Sequence, residues 1–363
     1  MKKIIFILTL GISIIINAQK NNSFVELNYF YGNIVEHAPQ LKPIIQTHPT
    51  GFLFSWNRKK TENTTFGHTY NFPDFGFSAS YQNFDTKILG QIYSAYVHYN
   101  FYLTNRNSKN QVKLTSAFGL GYATKPFDKI TNNKNWAIGS HLTASAYLKA
   151  TYSREYILDR IGINVGIILL HYSNASFNTP NLGINTLAIT AGINYNLEEQ
   201  KLAPKRLLIK SDEEFPIKFN AAFRTGFNES LINNSGLYPF YTLSLFGTKK
   251  LNYKSTLSAG TDLFFPTYMK NYIEYDNIQK GTPNKSADWK RAGIFVGHEL
   301  NMENFSVITE IGIHVYYPYE YISVIYERFG FRKKISEHLF ADLTLKINLF
   351  RAESLEFGFG YKF

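Results

Sequence analysis

Near the end of an apolar run, His171 and Ser173 stand two residues apart in the segment Ile161-Gly-Ile-Asn-Val-Gly-Ile-Ile-Leu-Leu-His171-Tyr-Ser173-Asn174-Ala-Ser-Phe-Asn-Thr-Pro180-Asn181-Leu-Gly183-Ile-Asn185. Read as a strand, the run places Ile163, Val165, Ile167 and Leu169 on one face and Gly162, Asn164 and Gly166 on the other. The apolar face continues into His171 and then Ser173. On the returning strand Leu187, Ile189, Ala191, Ile193, Tyr195 and Leu197 share an apolar face, and Asn185 has the same parity. Three polar side chains that could form a catalytic set therefore end at one rim, on the face that is otherwise apolar. Polar groups are costly on a lipid-facing surface, so an explanation is needed. The competing reading is interfacial decoration at a strand end.

The elements that would position these residues are β-strands of an exported barrel. Met1-Lys2-Lys3 is a basic start, Ile4 to Ile16 an apolar core, and Ile16-Asn17-Ala18 a small-residue cleavage site before Gln19. That pattern predicts a signal peptide over 1–18. No later stretch reaches the roughly 18–20 apolar residues of a membrane-spanning helix. With no cysteine, disulfides and thiolate metal sites are excluded. Aromatics make up 17% of the chain, with 26 Tyr and 31 Phe, which suits interfacial girdles. The net charge is +11, and +9 without Lys2 and Lys3; it is scattered, which speaks against nucleic acid and suits loop solubility or attraction to a phosphate-rich surface.

Period-2 alternation in segments of about ten residues, separated by polar clusters, dominates after Gln19. Strands are predicted near 23–31, 51–58, 75–83, 88–103, 111–123, 136–152, 157–173 and 184–197. A second series lies near 216–226, 237–248, 253–266, 289–300, 304–317, 322–332, 337–349 and 354–363. In the last strand Leu355, Phe357, Phe359, Tyr361 and Phe363 oppose Glu356, Gly358, Gly360 and Lys362. This ending resembles the insertion signal of outer-membrane barrels, which implies the barrel assembly machinery as a partner. The run Thr190-Ala-Gly192-Ile-Asn-Tyr195-Asn-Leu197 repeats its spacing and precedes a charged stretch over 198–215 that lacks alternation. The fold expected is all-β: a transmembrane antiparallel outer-membrane β-barrel of about 14–16 strands, with halves 19–197 and 216–363. A single barrel is favoured because it needs one closing pair; the alternative is two eight-stranded modules in tandem.

The sequence His171-Tyr-Ser173-Asn174-Ala, followed by Pro180-Asn181-Leu-Gly183-Ile, resembles the active-site hairpin of the outer-membrane lipid A 3-O-deacylases, the PagL-like acyl hydrolases. The resemblance is sharp over 171–185, extends over about 19–197 and says nothing of 216–363. It implies an eight-stranded barrel whose site faces lipid and acts on lipid A of lipopolysaccharide in the outer membrane. It further implies Ser173 as nucleophile, His171 as general base and an acid at the position of Asn185. Two residues apart on a strand, His171 and Ser173 have Cα atoms roughly 6.5–7 Å apart, within reach of an imidazole leaning along the strand. The departure is Asn185, where better-known members carry Glu. A neutral amide can hold the imidazole tautomer but cannot stabilise imidazolium with a full charge. Asp159 has the right parity but lies twelve residues from His171, about 40 Å along a strand. Asp85 and Asp128 are the substitute acids to consider, and Asn174 and Asn181 the oxyanion candidates beside their ordinary turn roles.

Other polar residues carry less. His141 has the parity of Thr143 and Ser145 and is expected in the lumen. His98, His298 and His314 are isolated, no metal-ligand spacing occurs, and no cofactor is implied. The run Tyr316-Tyr-Pro-Tyr-Glu-Tyr321 reads as an interfacial loop. A pore or an inactive structural barrel are the alternatives to an esterase. With the N-terminus starting in the periplasm, an odd strand carries His171 outward, placing 174–184 outside the cell and 198–215 in the periplasm. Of the two long connections 33–50 and 59–74, one should be a short periplasmic turn. Because the chain has no cysteine of its own, Asn178→Cys should react with an impermeant thiol reagent on intact cells. Labelling only after lysis would reverse this topology.

Overall fold

The computed structural model describes residues 22–198, 202–207, 215–233, 235–282, 286–349 and 351–363. The leader expected over 1–18 lies outside them, as does most of 198–215. Among the described residues sixteen strands form, and they close as two eight-stranded antiparallel barrels. The tandem alternative therefore holds, and the single barrel is corrected. The physical reason is local closure: β8 (Ile184–Asn196) pairs with β1 (Ser23–Ile34) from Phe24↔Asn196 to Ile34↔Thr186, completing the first sheet before the second begins.

Between them lie β2 (Thr50–Arg58), β3 (Asp74–Asn83), β4 (Gln91–Tyr102), β5 (Asn110–Ala123), β6 (Leu142–Leu158) and β7 (Ile161–Ser173), each paired with the next. Alternation divides the strands into an exposed, mostly apolar face and a buried face where polar side chains are mixed with apolar ones such as Phe24, Phe30, Ile168 and Leu170. Ile163, Val165, Ile167, Ile189 and Ile193 are exposed, whereas Asn164, Thr186, Thr190 and Asn194 are buried. Such an apolar exterior is the surface of a membrane-spanning barrel. Outward aromatics gather toward both rims: Tyr29 with Phe52 and Tyr81 with Tyr93 at one, Trp56 with Phe77 and Phe75 with Tyr99 at the other.

Eight strands leave a lumen just wide enough for side chains, and polar ones fill it. Glu26 pairs with Lys113 and with Lys149, and His98 bridges Ser78 at 3.0 Å and Asn57 at 2.8 Å. Lumen charge would favour a pore only if it lined open space. Here Glu26 is shared between the two lysines.

The connections divide between two rims. One carries 35–49, 84–90, 124–141 and 174–183; the other carries 59–73, 103–109, 159–160 and both ends of the unit. Both long connections flagged in the sequence stay long. The first holds a short 3-10 helix, Pro39–Ile44, and the second α1 (Thr65–Tyr70). The loop between β5 and β6 also corrects an expectation, because the sheet begins at Leu142 rather than 136. Asn135 Oδ1 accepts from the N–H groups of Ala137 and Ile138, at 3.1 and 3.2 Å, and draws that stretch out of the ladder. His141 consequently lies outside the lumen, stacked on the exposed Tyr122 with its Nδ1 2.7 Å from Ala123 O.

The second barrel comprises β9 (Lys218–Asn228), β10 (Tyr238–Lys250), β11 (Ser255–Pro266), β12 (Arg291–Met302), β13 (Phe305–Tyr316), β14 (Ile325–Lys334), β15 (Leu339–Asn348) and β16 (Arg351–Lys362), with β16 closing on β9. A helix, α2 (Tyr268–Gln279), lies between β11 and β12. The terminal strand divides as its pattern predicts: Phe357, Phe359 and Tyr361 are exposed, and Glu356 is fully buried. Gly360 is required by close approach, since a Cβ there would meet the Phe340 ring at 2.0 Å. Three arginines organise the lumen. Arg328 donates to Asp262 at 3.0 Å, Glu310 at 2.6 Å and Glu356 at 2.6 Å, while Arg224 and Arg332 share Asp342. Removing one partner from such a buried set leaves charges without compensation. Arg328→Met should therefore lower the stability of this barrel by about 3–5 kcal/mol, measured by urea unfolding followed through Trp289 emission. An unchanged unfolding midpoint would show that Arg328 does not hold the three carboxylates.

Candidate active site

The hairpin of β7 and β8 brings the polar rim residues together by register alone. His171 and Asn185 are directly opposed in the ladder, followed by Tyr172↔Ile184. Tyr172 is buried, its hydroxyl donating to Gln82 at 2.9 Å, so parity sends His171, Ser173 and Asn185 outward, where each is half-buried. Asn185 Oδ1 lies 2.7 Å from His171 Nδ1. An amide oxygen can only accept, so this bond puts a proton on Nδ1 and leaves Nε2 with its lone pair. A bare Nε2 is the state in which an imidazole can take a proton from a neighbouring hydroxyl.

On the far side of the hairpin strand, β6 faces the site with small residues, Ala144 opposite Ser173 and Ala146 opposite His171. Gly183 ends the loop at φ +77°, a conformation that favours glycine, and its N–H donates to Ala137 O at 2.9 Å. A Cβ at that position would sit 3.1 Å from Tyr172 O and 3.4 Å from His171 Cε1, so glycine lets the backbone pass close to the imidazole.

The chain divides into two compact units, one running to Ser173 and resuming over Gly183–Ile209, the other comprising Asn174–Leu182 and Lys210–Phe363. Asn174 and Asn181 belong to the second. There Asn181 Oδ1 accepts the Asn174 N–H at 3.0 Å, and Asn174 Nδ2 donates to Asn178 O at 2.8 Å. Both side chains thus brace the turn, and the N–H that follows Ser173 is committed to it. The Thr179–Pro180 peptide in this turn is cis.

None of the three aspartates weighed from the sequence occupies the place beside His171. Asp159 sits in the tight turn between β6 and β7, at the opposite rim. Asp85 and Asp128 do share the rim of the hairpin. Asp128 caps its own turn, accepting from the N–H and hydroxyl of Thr131 and from the N–H of Ile130, which holds its carboxyl below the usual carboxylate range. Asp85 is exposed in a turn with φ +53°. The position at Nδ1 is filled by Asn185.

One neighbour was not legible in the sequence. His37, three residues beyond β1, brings its Nδ1 within 3.4 Å of Asn185 Nδ2. It lies in a connection without alternation, nearly 150 positions from Asn185, and only closure of β8 onto β1 places it there.

Residues 50–194 match the family model described as lipid A 3-O-deacylase (PagL), a span that contains His171, Ser173 and Asn185. Residues 217–363 match a second one, described as acyloxyacyl hydrolase, C-terminal domain. Both matches are of segments, and neither model spans half of the chain. Among solved structures it is similar to the outer membrane enzyme PagL, at 16% identity over 46% of this chain and 97% of that one, with a TM-score of 0.35. A mutant of the Rh. blastica porin is similar at 6% identity over 94% of this chain and 99% of that one, with a TM-score of 0.18. The outer membrane protein Omp33 of Acinetobacter baumannii is similar at 7% identity over 94% and 97%, with a TM-score of 0.18. No curated protein matches the chain. Where the resemblance of the hairpin implies a carboxylate, the Asn185 amide lies against the imidazole.

Proposed function

We propose that the chain is an outer-membrane serine esterase that removes an ester-linked acyl chain from lipid A of lipopolysaccharide. The observation that carries this reading is the outward-facing pair in which Asn185 Oδ1 holds His171 Nδ1 at 2.7 Å, with Ser173 two residues along the same face. Ser173 is the nucleophile, His171 the general base and Asn185 the orienting group. Attack of Ser173 Oγ on the ester carbonyl passes the hydroxyl proton to His171 Nε2. Collapse of the tetrahedral intermediate returns that proton to the departing sugar oxygen, leaving an acyl-serine. Water, activated by the same nitrogen, then releases the fatty acid and restores Ser173. Asn174 and Asn181 are the oxyanion candidates that the resemblance supplies.

A catalytic set on the outside of a barrel meets its substrate within the lipid layer. The reading therefore places the rim carrying 174–183 in the outer leaflet and both ends of the first barrel in the periplasm, with insertion by the barrel assembly machinery. The filled lumens speak against transport. An inactive barrel is the reading that the neutral Asn185 would favour, and activity measurements separate the two. Ser173→Ala should abolish fatty-acid release from purified lipid A while the protein keeps its heat-modifiable gel migration. Full activity in the folded variant would remove the serine mechanism.

The neutral third residue generates a second expectation. Asn185→Glu supplies a charge that strengthens its bond as imidazolium forms, so turnover should rise with little change in substrate affinity. A charged hydrogen bond exceeds a neutral one by on the order of 1 kcal/mol, or roughly fivefold in rate. Desolvation at the rim raises the carboxyl pKa, so the gain should grow between about pH 6 and 8 as Glu ionises. Turnover assayed across that range checks this. Loss of activity in Asn185→Glu, with Asn185→Ala unaffected, would show that another residue orients His171.

A further inference from the structure

On leaving β1 the chain makes one more rung with β8, the Val35 N–H donating to Asn185 O at 2.8 Å. Two residues on, His37 turns back over the same residue. The Asn185 amide consequently lies between two imidazoles, Oδ1 2.7 Å from His171 Nδ1 and Nδ2 3.4 Å from His37 Nδ1.

A carboxylate at this position would present two equivalent acceptors, and its orientation would not matter. An amide has one acceptor end and one donor end, so its orientation decides the tautomer of His171. With Oδ1 toward His171, Nδ1 carries the proton and Nε2 is bare. With the amide turned over, Nδ2–H faces Nδ1, the proton moves to Nε2, and the ring cannot accept from Ser173. Each orientation makes one hydrogen bond to His171, so His171 cannot choose between them. We propose that His37 is the positioning residue that makes the choice, its bare Nδ1 accepting from Asn185 Nδ2 and so holding Oδ1 toward His171. The consequence for catalysis rests on the serine mechanism proposed above; the control of the tautomer does not. Val35 O, 3.1 Å from the same Nδ1, makes the opposite demand, since a carbonyl needs a donor. The His37 tautomer protonated on Nε2 is the one that engages Asn185.

The test reads the His171 tautomer by nitrogen NMR of histidine-labelled full-length protein in detergent, and turnover on lipid A beside it. The wild type should be protonated on Nδ1, and His37→Gln, which keeps an acceptor, should preserve that state and most of the turnover. His37→Leu leaves two equivalent amide orientations, so both tautomers should appear and turnover fall about twofold. His37→Lys offers only charged donors and reverses the preference; His171 should be protonated on Nε2, with turnover down about tenfold or more. In an Asn185→Asp background, whose two oxygens are equivalent, the three His37 variants should differ from one another by no more than about twofold. A His171 tautomer indifferent to His37→Lys overturns the proposal, as do equal losses in both backgrounds, which would mean that His37 only supports its loop. If the tautomer follows His37 but Ser173→Ala still hydrolyses lipid A, the assignment of His37 stands and the serine mechanism falls.

Discussion

Within a membrane no backbone N–H or C=O can go without a partner, so a sheet that crosses it must close, and here each set of eight strands returns to its own first strand. Closure gives every side chain on a strand one of two directions, into the lumen or out toward lipid. The site depends on that choice of parity. One register step would turn His171, Ser173 and Asn185 into a lumen already filled by Tyr172, Gln82 and their neighbours. It would also send Tyr172 and Thr186 outward. Direct opposition of His171 and Asn185 in the ladder is therefore the local expression of the same constraint that closes the barrel.

What was legible in the sequence was whatever parity encodes. The outward faces of β7 and β8, the lumen position of Glu356 and the shared face of His171, Ser173 and Asn185 all follow from counting residues in twos. Closure into two barrels was not legible, because the same alternation serves an eight-stranded or a sixteen-stranded sheet. Only the β8–β1 ladder decides between them. His141 was misplaced because parity ends where the sheet ends, and the Asn135 turn ends it six residues later in the chain than the pattern suggested. His37 had no signal at all, since its neighbour is fixed by strand pairing at the far end of the first barrel.

The amide at Asn185 accounts for the character of the site. It fixes which imidazole nitrogen is bare without adding charge to an outward rim, where a carboxylate would be costly to desolvate. The cost is a weaker response as imidazolium forms, together with a dependence on how the amide is turned. Within the first barrel inward-facing side chains are paired, Glu26 with Lys113 and Lys149.

The central claim is that this outward-facing set cleaves an ester of lipid A. The measurement that tests it most directly is the mass spectrum of lipid A from otherwise identical cells with and without the protein. The account predicts that its presence removes the mass of one ester-linked acyl chain. Lipid A of unchanged mass, from cells in which the protein is shown to be folded in the outer membrane, would contradict it.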